Sequence, residues 1–117
     1  MIPSVNSALS ALRAYRTSMG VTADNIANVN TDEFKKSRAT MNEGANGGVE
    51  VEVSKINTPG HRYQELEGDQ MVEKETSNVN LEEELPDMMV TQRTYEANLK
   101  VLQTQDKMLG TMLDILG

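Results

Sequence analysis

The sequence of 117 residues contains no cysteine and no tryptophan, and it has only one phenylalanine, three tyrosines and one histidine. Without cysteine, the chain forms no disulfide and no thiolate metal site, and it is compatible with any redox compartment. With few aromatic residues and eight methionines, it is expected to have a thin and adaptable core rather than a dense, rigid one.

Positive charge and long apolar runs are also scarce. The net charge is −7, with +2 on residues 1–40, −5 on residues 41–78 and −4 on residues 79–117. An acidic chain without a basic aromatic patch is a poor nucleic-acid binder, and no apolar run approaches the length needed to span a bilayer. Because Arg13 and Arg16 interrupt the N-terminal pattern, no cleaved secretory signal is expected. We therefore expect no nucleic-acid partner and no membrane insertion.

Groups that could support catalysis or hold a cofactor are few. His61 stands alone beside a turn signal, so no multi-histidine metal site can form. The glycines of the middle segment match neither dinucleotide nor P-loop spacing. Glu82 to Glu84 are adjacent, and adjacent helix positions point in different directions, so a charged first turn is favoured over a catalytic pair. The sequence predicts no enzyme activity, no cofactor and no metal.

A heptad pattern dominates residues 78–117. Every seventh position is apolar or aromatic, and a second row four positions further on is apolar at three of five places, with Gln92 and Asp106 as interruptions. The first row is Leu81, Met88, Tyr95, Leu102, Leu109 and Leu116, and the second contributes Leu85, Leu99 and Leu113. A repeat held over about five heptads predicts a long helix that another helix covers.

The start of this helix carries two signals. Asn80 followed by Glu83 predicts an N-cap with its capping-box partner. Pro86 either kinks a helix that begins at Leu81 or lies in the first turn of a helix that begins nearby.

A second heptad helix is predicted for residues 4–29, with Ser4 as its N-cap and an end in an asparagine-rich run. Its apolar row is Val5, Leu12, Met19 and Ile26, broadened by Leu9 and Tyr15. The two rows together are the predicted subunit interface. Two roles remain open for the asparagines: they cap and turn the chain, or their amides bond across subunits and fix the register. Gln92 and Asp106 raise the same question.

The middle of the chain predicts β-structure. Val49, Val51 and Val53 alternate with polar residues, which is typical of a strand with one apolar face, and 42–48 reads as a flexible loop. Residues 62–66 or 70–74 could supply a second strand after the turn signal at 58–60. The predicted fold is mainly α: two long terminal helices, packed as a helical hairpin or an intersubunit coiled coil, with a short β-hairpin or loop inserted between them. The predicted segments are 1–38, 39–76 and 77–117.

The sequence resembles a known family at both ends. Ser10 to Tyr15, Asp24 to Thr31 and Phe34-Lys35 resemble the N-terminal signature of bacterial flagellar rod and hook axial proteins, and Ser77 to Glu84 with Gln92 to Asn98 resembles their C-terminal signature. The polar residues that carry this resemblance are Asn25, Asn28, Asn30, Thr31, Asn78, Asn80 and Asn98. The likeness is strongest to the small proximal-rod subunits of the basal body.

This resemblance implies a structural subunit of the flagellar rod. Its terminal helices would pack into the inner tube of the axial structure, its partners would be other rod subunits and itself, and the flagellar type III apparatus would export it without a cleaved signal. The chain departs from the family at Asp32-Glu33, where members commonly carry Pro-Gly. Because glycine suits a left-handed turn and glutamate does not, that turn is not expected here.

The heptad pattern by itself is also compatible with functions other than that of a rod subunit. A cytosolic helical binding module, such as an export chaperone or adaptor, would offer the same apolar row to a client helix and form a discrete dimer. In the isolated chain, the rows could be covered by an intramolecular helical hairpin or by helix exchange between two copies.

Overall fold

The computed structural model describes residues 2–117, with side chains from residue 5 onward. Two terminal helices enclose four strands, and more than half of the residues are helical, which confirms the predicted mainly α chain with a β insertion. The elements are α1 (Ile2–Ala27), β1 (Ser37–Glu43), β2 (Val49–Lys55), β3 (Arg62–Glu67), β4 (Gln70–Glu75) and α2 (Leu81–Leu116). In the described part of the chain, neither helix has an apolar stretch suited to crossing a membrane.

Helix α1 is displaced from its predicted span by two residues at each end. It begins at Ile2, so Ser4 lies inside the helix and the N-cap predicted there is wrong. Proline at position 3 fits a first helical turn, where no amide partner is lost. The helix ends at Ala27, where both the backbone amide and the side-chain amide of Asn28 donate to the Asp24 carbonyl, at 3.2 and 2.8 Å.

Helix α2 begins at Leu81, with Asn80 in the N-cap position. The Asn80 side chain makes no capping hydrogen bond, so the predicted capping box does not form. Its intended partner, Glu83, instead accepts from Lys36 Nζ at 3.3 Å. Pro86 lies inside a continuous helix. The carbonyl left without an amide donor is that of Glu82, an exposed residue, so water can satisfy it.

The two helices lie side by side in opposite directions. Asn25, near the end of α1, bonds to Glu84 in the first turn of α2, so the remainder of α1 can only run beside the following turns of α2. With 26 residues in α1 and 36 in α2, the last ten or so residues of α2 extend beyond α1 by about 15 Å. Every residue of this overhang, 106–116, is exposed.

The core around α1, which faces α2 on one side and the β1–β2 hairpin on the other, is narrow because its side chains are small. The buried apolar residues are three alanines and one leucine: Ala8, Ala11, Leu12 and Ala14. Alanine lets two helix backbones approach closely while burying little apolar area, so most of the large apolar side chains remain outside this contact.

The valine strand β2 pairs with β1 in antiparallel register, with Met41 opposite Val51. The prediction that its partner comes from 62–66 or 70–74 is therefore wrong. Strand β1, which precedes β2 in the sequence, can be its partner because Gly47 and Gly48 both have φ of 80°. This conformation lets the chain reverse over residues 44–48. The hairpin rests on α1, where the Val49 amide donates to Ser10 Oγ at 3.0 Å.

Strands β3 and β4 form a second hairpin, so the insertion holds two hairpins rather than one. Their two-residue turn is Gly68-Asp69, and Gly68 has φ of 62°, as tight hairpin turns with glycine in this place require. We call this hairpin, residues 62–75, the arm. It packs against neither helix nor the first hairpin, and all of β3 and half of β4 are exposed.

Glu33 adopts the left-handed turn that the sequence argued against, with φ of 62°. The surrounding bonds hold it there: its amide donates to the Glu75 carbonyl at 2.9 Å, and the next amide, of Phe34, donates to the Thr31 carbonyl at 3.3 Å. The turn is therefore fixed by backbone bonds, and glutamate occupies it at a conformational cost of about 1–2 kcal/mol.

We expect Glu33→Gly to raise the free energy of unfolding by up to about 1 kcal/mol, because glycine relieves the left-handed strain and both backbone bonds persist. Urea unfolding followed by circular dichroism measures the change. Asn30→Gly is the matched control, since Asn30 lies in the same turn without a positive φ and should lose stability. Equal effects of the two substitutions would contradict this explanation.

Candidate assembly site: an asparagine junction and two exposed helix flanks

The most completely buried side chain in the described residues is the amide of Asn25, with 1% of its surface exposed. Its Nδ2 donates to the Ser37 carbonyl at 2.8 Å and to Glu84 Oε2 at 3.3 Å, and its Oδ1 accepts from the Ser37 amide at 3.0 Å. One side chain thus ties the end of α1 to the start of β1 and the first turn of α2.

Asn78 does the same for the other connections. Its Oδ1 accepts from the Lys36 amide at 2.7 Å, and its Nδ2 donates to the carbonyls of Ile56 and Thr58 at 2.8 and 2.9 Å. The segment before α2 is thereby fixed to the chain entering β1 and leaving β2. A short carboxamide suits this role because it is donor and acceptor at once, and can close a bond pattern with backbone groups. Together, Asn25 and Asn78 form what we call the asparagine junction.

The base of the arm is fixed beside this junction by Glu75. Its carboxylate accepts a bond from Lys35 Nζ and another from the Gly60 amide at 2.8 Å. The Lys35 ammonium, and secondarily the Gly60 amide, lower the pKa of the Glu75 carboxyl. At the outer side of the base, the Tyr63 hydroxyl donates to Asp32 Oδ2 at 2.7 Å, and this bond raises the pKa of Tyr63.

The structure brings the predicted interface residues of α1 only partly into the interior. Leu12 is buried, whereas the other five are half-buried. These five are Val5, Leu9, Tyr15, Met19 and Ile26. The α1 residues that are more deeply buried include Thr22 and Asn25, so the inner face of this helix has a polar end that the apolar row did not indicate.

On α2, the predicted rows are divided between contact and solvent. Met88, Tyr95 and Leu102 are half-buried, and the remaining six are exposed. Those six are Leu81, Leu85, Leu99, Leu109, Leu113 and Leu116. A polar row spaced by seven is more buried than any of them: Glu84 and Thr91 are buried, and Asn98 and Gln105 half-buried. The face of α2 that contacts α1 therefore lies between the apolar row and this polar row.

Because only this face of α2 contacts α1, apolar residues remain exposed on both flanks of α2. One flank, the leucine flank, consists of Leu81, Leu85 and Leu99, which are 37–48% exposed. The opposite flank, which we call the valine–methionine flank, consists of Val90, Val101, Met108, Met112 and Ile115, which are 49–78% exposed. At 100° per residue, Leu99 and Val101 lie on nearly opposite sides of the helix. The sequence reasoning missed the second flank, although Val101, Met108 and Ile115 repeat by seven.

The remaining family-signature residues act locally. Thr31 Oγ1 donates to Asn28 Oδ1 at 3.0 Å in the turn after α1, and Asn98 Nδ2 donates to the Thr94 carbonyl within α2 at 3.0 Å. Asn30 and Asn80 are exposed. Among residues 2–117, no cluster of His, Asp and Glu is arranged to hold a metal ion.

We expect Asn25→Ala to lower the free energy of unfolding by about 2–4 kcal/mol, because it leaves both backbone groups of Ser37 and the buried Glu84 carboxylate without a partner. Chemical denaturation provides the measurement. Asn98→Ala serves as the control, since it removes one bond internal to a helix and should change stability by less than about 1 kcal/mol. A similar loss in both variants would refute the junction.

The lowered pKa of Glu75 predicts an acid-sensitive arm base. Because the folded-state pKa lies below the unfolded value, the ionised Glu75 contributes stability above the unfolded pKa, and this contribution is lost as pH falls through the folded pKa. We expect the stability difference between wild type and Glu75→Gln to be largest near neutral pH and to vanish in acid. Denaturation across a pH series tests this. Glu73→Gln, whose carboxylate lies 3.7 Å from Arg62 on an exposed surface, should show little pH dependence.

Comparison with known proteins matches both ends of the chain. A family model described as "Flagella basal body rod protein" matches residues 6–35, and one described as "Flagellar basal body rod FlgEFG protein C-terminal" matches residues 70–115. The first covers most of α1 and the turn after it, and the second covers β4 and α2. Both halves of the asparagine junction therefore lie inside matched segments.

Individual relatives agree with these matches. The chain is 42% identical over 79 residues to the flagellar basal-body rod protein FlgG of Buchnera aphidicola subsp. Baizongia pistaciae, covering 65% of this chain and 30% of the relative. It is 56% identical over 36 residues to FlgG of Borreliella burgdorferi, covering 31% and 14%. It is 44% identical over 41 residues to the flagellar hook protein FlgE of Escherichia coli, covering 35% and 10%.

The chain thus spans less than a third of the length of these relatives. The two family models match the two ends of the chain, each of which includes one of the helices that the junction joins, and the matched relatives carry the rod and hook names. The chain belongs to the flagellar basal-body rod protein family, which includes the rod and hook axial proteins.

Proposed function

We propose that this protein is a structural subunit of the bacterial flagellar basal-body rod that polymerises through its terminal helices into the axial drive shaft. The observation that carries the proposal is the pair of apolar flanks on α2, on either side of the face that α1 covers. A helix with three apolar sides and one partner needs further helices on the other two. Copies of the same chain, or related rod subunits, supply them.

The predicted interface residues take their place in this proposal. Those exposed on α2 provide the intersubunit contact, and the half-buried residues Val5, Met19 and Tyr95 at the margin of the α1–α2 contact become fully covered. Fully burying one such side chain contributes roughly 1.5–3 kcal/mol. The exposed overhang gives the assembly a further apolar surface at one end of each subunit.

The proposed partners follow from this role. They are other copies of the chain, other rod subunits, and the flagellar type III export apparatus that would deliver the chain to the basal body. The role requires no catalysis, cofactor, nucleic acid or membrane insertion. Because the covering helices come from neighbours in a continuing series, the contact is open-ended, which gives filaments and tubes rather than closed oligomers.

Sedimentation velocity and circular dichroism of the full chain across a concentration series test this function. We expect large, open-ended species at high concentration, and a Val101→Lys variant that needs at least roughly tenfold more protein to reach the same association, because one buried apolar side chain is lost from the contact.

Thr111→Lys is the matched control, because it introduces the same charge on the exposed side of α2 that carries Lys100 and Lys107, away from both apolar flanks, and it should assemble like wild type. A discrete dimer of unchanging size, equally insensitive to both substitutions, would instead favour the helical binding module that presents its apolar row to a client.

A further inference from the structure

The tip of the arm carries two large apolar side chains that nothing covers. Leu66 and Met71 face each other across β3 and β4, one residue pair away from the Gly68-Asp69 turn, and are 63% and 62% exposed. Directly opposed residues of an antiparallel pair have adjoining side chains, so the two form one continuous apolar cap. The arm around this cap is acidic, with a net charge of −3 over residues 62–75.

The arm points away from the rest of its own chain. It packs against no other helix or strand, and it is rooted at the end of the molecule where α1 stops and α2 begins. Helix α2 is about 54 Å long and a six-residue strand about 20 Å, which together nearly account for the longest dimension of the molecule, 82 Å. The arm therefore continues the long axis, and its tip lies far from the first half of α1.

A groove whose polarity and charge complement those of the arm tip lies on the first half of α1. It runs between α1 and β2, has a volume of about 210 Å³, and is lined by Ser10, Arg13, Ala14, Thr17, Val49 and Val51. Its floor is apolar and Arg13, the one charged residue of its lining, makes its rim basic; Arg16 is a second exposed arginine of α1 outside the lining. Among the described residues, neither arginine has a carboxylate within ion-pairing distance.

We propose that the tip of the arm docks into the α1–β2 groove of a second copy of this chain. Leu66 and Met71 lie against Ala14 and Val51 of that copy, and Asp69 in the turn faces its Arg13. The apolar cap matches the apolar floor, and the acidic surround of the cap matches the basic rim. This contact rests on the proposed polymerisation and adds to it a specific site between neighbours.

The contact is heterologous, because the arm and the groove are different surfaces of one chain. A chain whose groove is filled still has its own arm free for the next copy, so the contact propagates along the long axis without closing. It is independent of the apolar flanks of α2, which lie on another surface of the molecule.

Paired cysteines in this cysteine-free chain test the contact. In a Leu66→Cys, Thr17→Cys double variant, mild oxidation should join copies into a ladder of disulfide-linked dimers, trimers and larger species. Leu66→Cys with Thr104→Cys is the matched control, because Thr104, like Thr17, is an exposed helical threonine whose hydroxyl donates to the carbonyl four residues earlier. The control should give no ladder.

Charge exchange provides the second readout. Arg13→Glu in the cross-linking background should reduce the ladder about two- to fivefold at low salt, as expected for one exposed charge pair, and adding Asp69→Arg should restore it. Circular dichroism confirms that each variant keeps its helices. A ladder that responds to neither charge exchange would show collision rather than docking, and would overturn the proposal.

Two negative results are distinguishable. If the chain self-associates in sedimentation but the Leu66–Thr17 pair gives no more cross-linking than the control pair, the docking of the arm is wrong and polymerisation through the helices stands. If no variant and no wild-type sample associates at any concentration, both proposals fail.

Discussion

The buried amide of Asn25 is the contact on which the arrangement of the other elements depends. It bonds both backbone groups of Ser37 and also Glu84, so three segments distant in sequence meet at one side chain. An apolar residue there would leave these groups buried without partners, and a charged one would lack the paired donor and acceptor. Asn78 extends the same bonding to the segment that enters β1 and the segment that leaves β2. Polar bonds rather than a large core thus position both helices.

The small core leaves many large apolar side chains on the surface. Because the buried apolar residues of α1 are three alanines and one leucine, the core buries little apolar area, and large side chains of α2 remain exposed. An isolated chain of this kind has a modest stability margin and a strongly associating exterior. This division of residues suits a protein whose stability comes largely from its neighbours.

The heptad rows predicted both helices, because period alone identifies an amphipathic helix. Period alone could not say which side of α2 meets α1, because the polar row through Glu84 and Thr91 shares the spacing of the leucines. The burial of this row depends on polar partners in α1, such as Asn25, that the spacing does not reveal. Strand β1 was not predicted, although 62–66 and 70–74 were both named as candidate strands, because the pairing of β2 depends on the φ values of Gly47 and Gly48, which place β1 beside it. The left-handed Glu33 was not expected because residue preference was weighed without the bonds that fix the turn.

The arm is held at its base by backbone groups and by Glu75, while its tip turn lies free at the far end. A chain lengthened at Gly68-Asp69 would therefore leave the junction and both helices undisturbed, since exposed turns tolerate inserted sequence best. This turn is therefore the position in the fold that can accept an inserted segment. Longer segments placed there would leave the two-helix scaffold unchanged, so chains of very different length could share it.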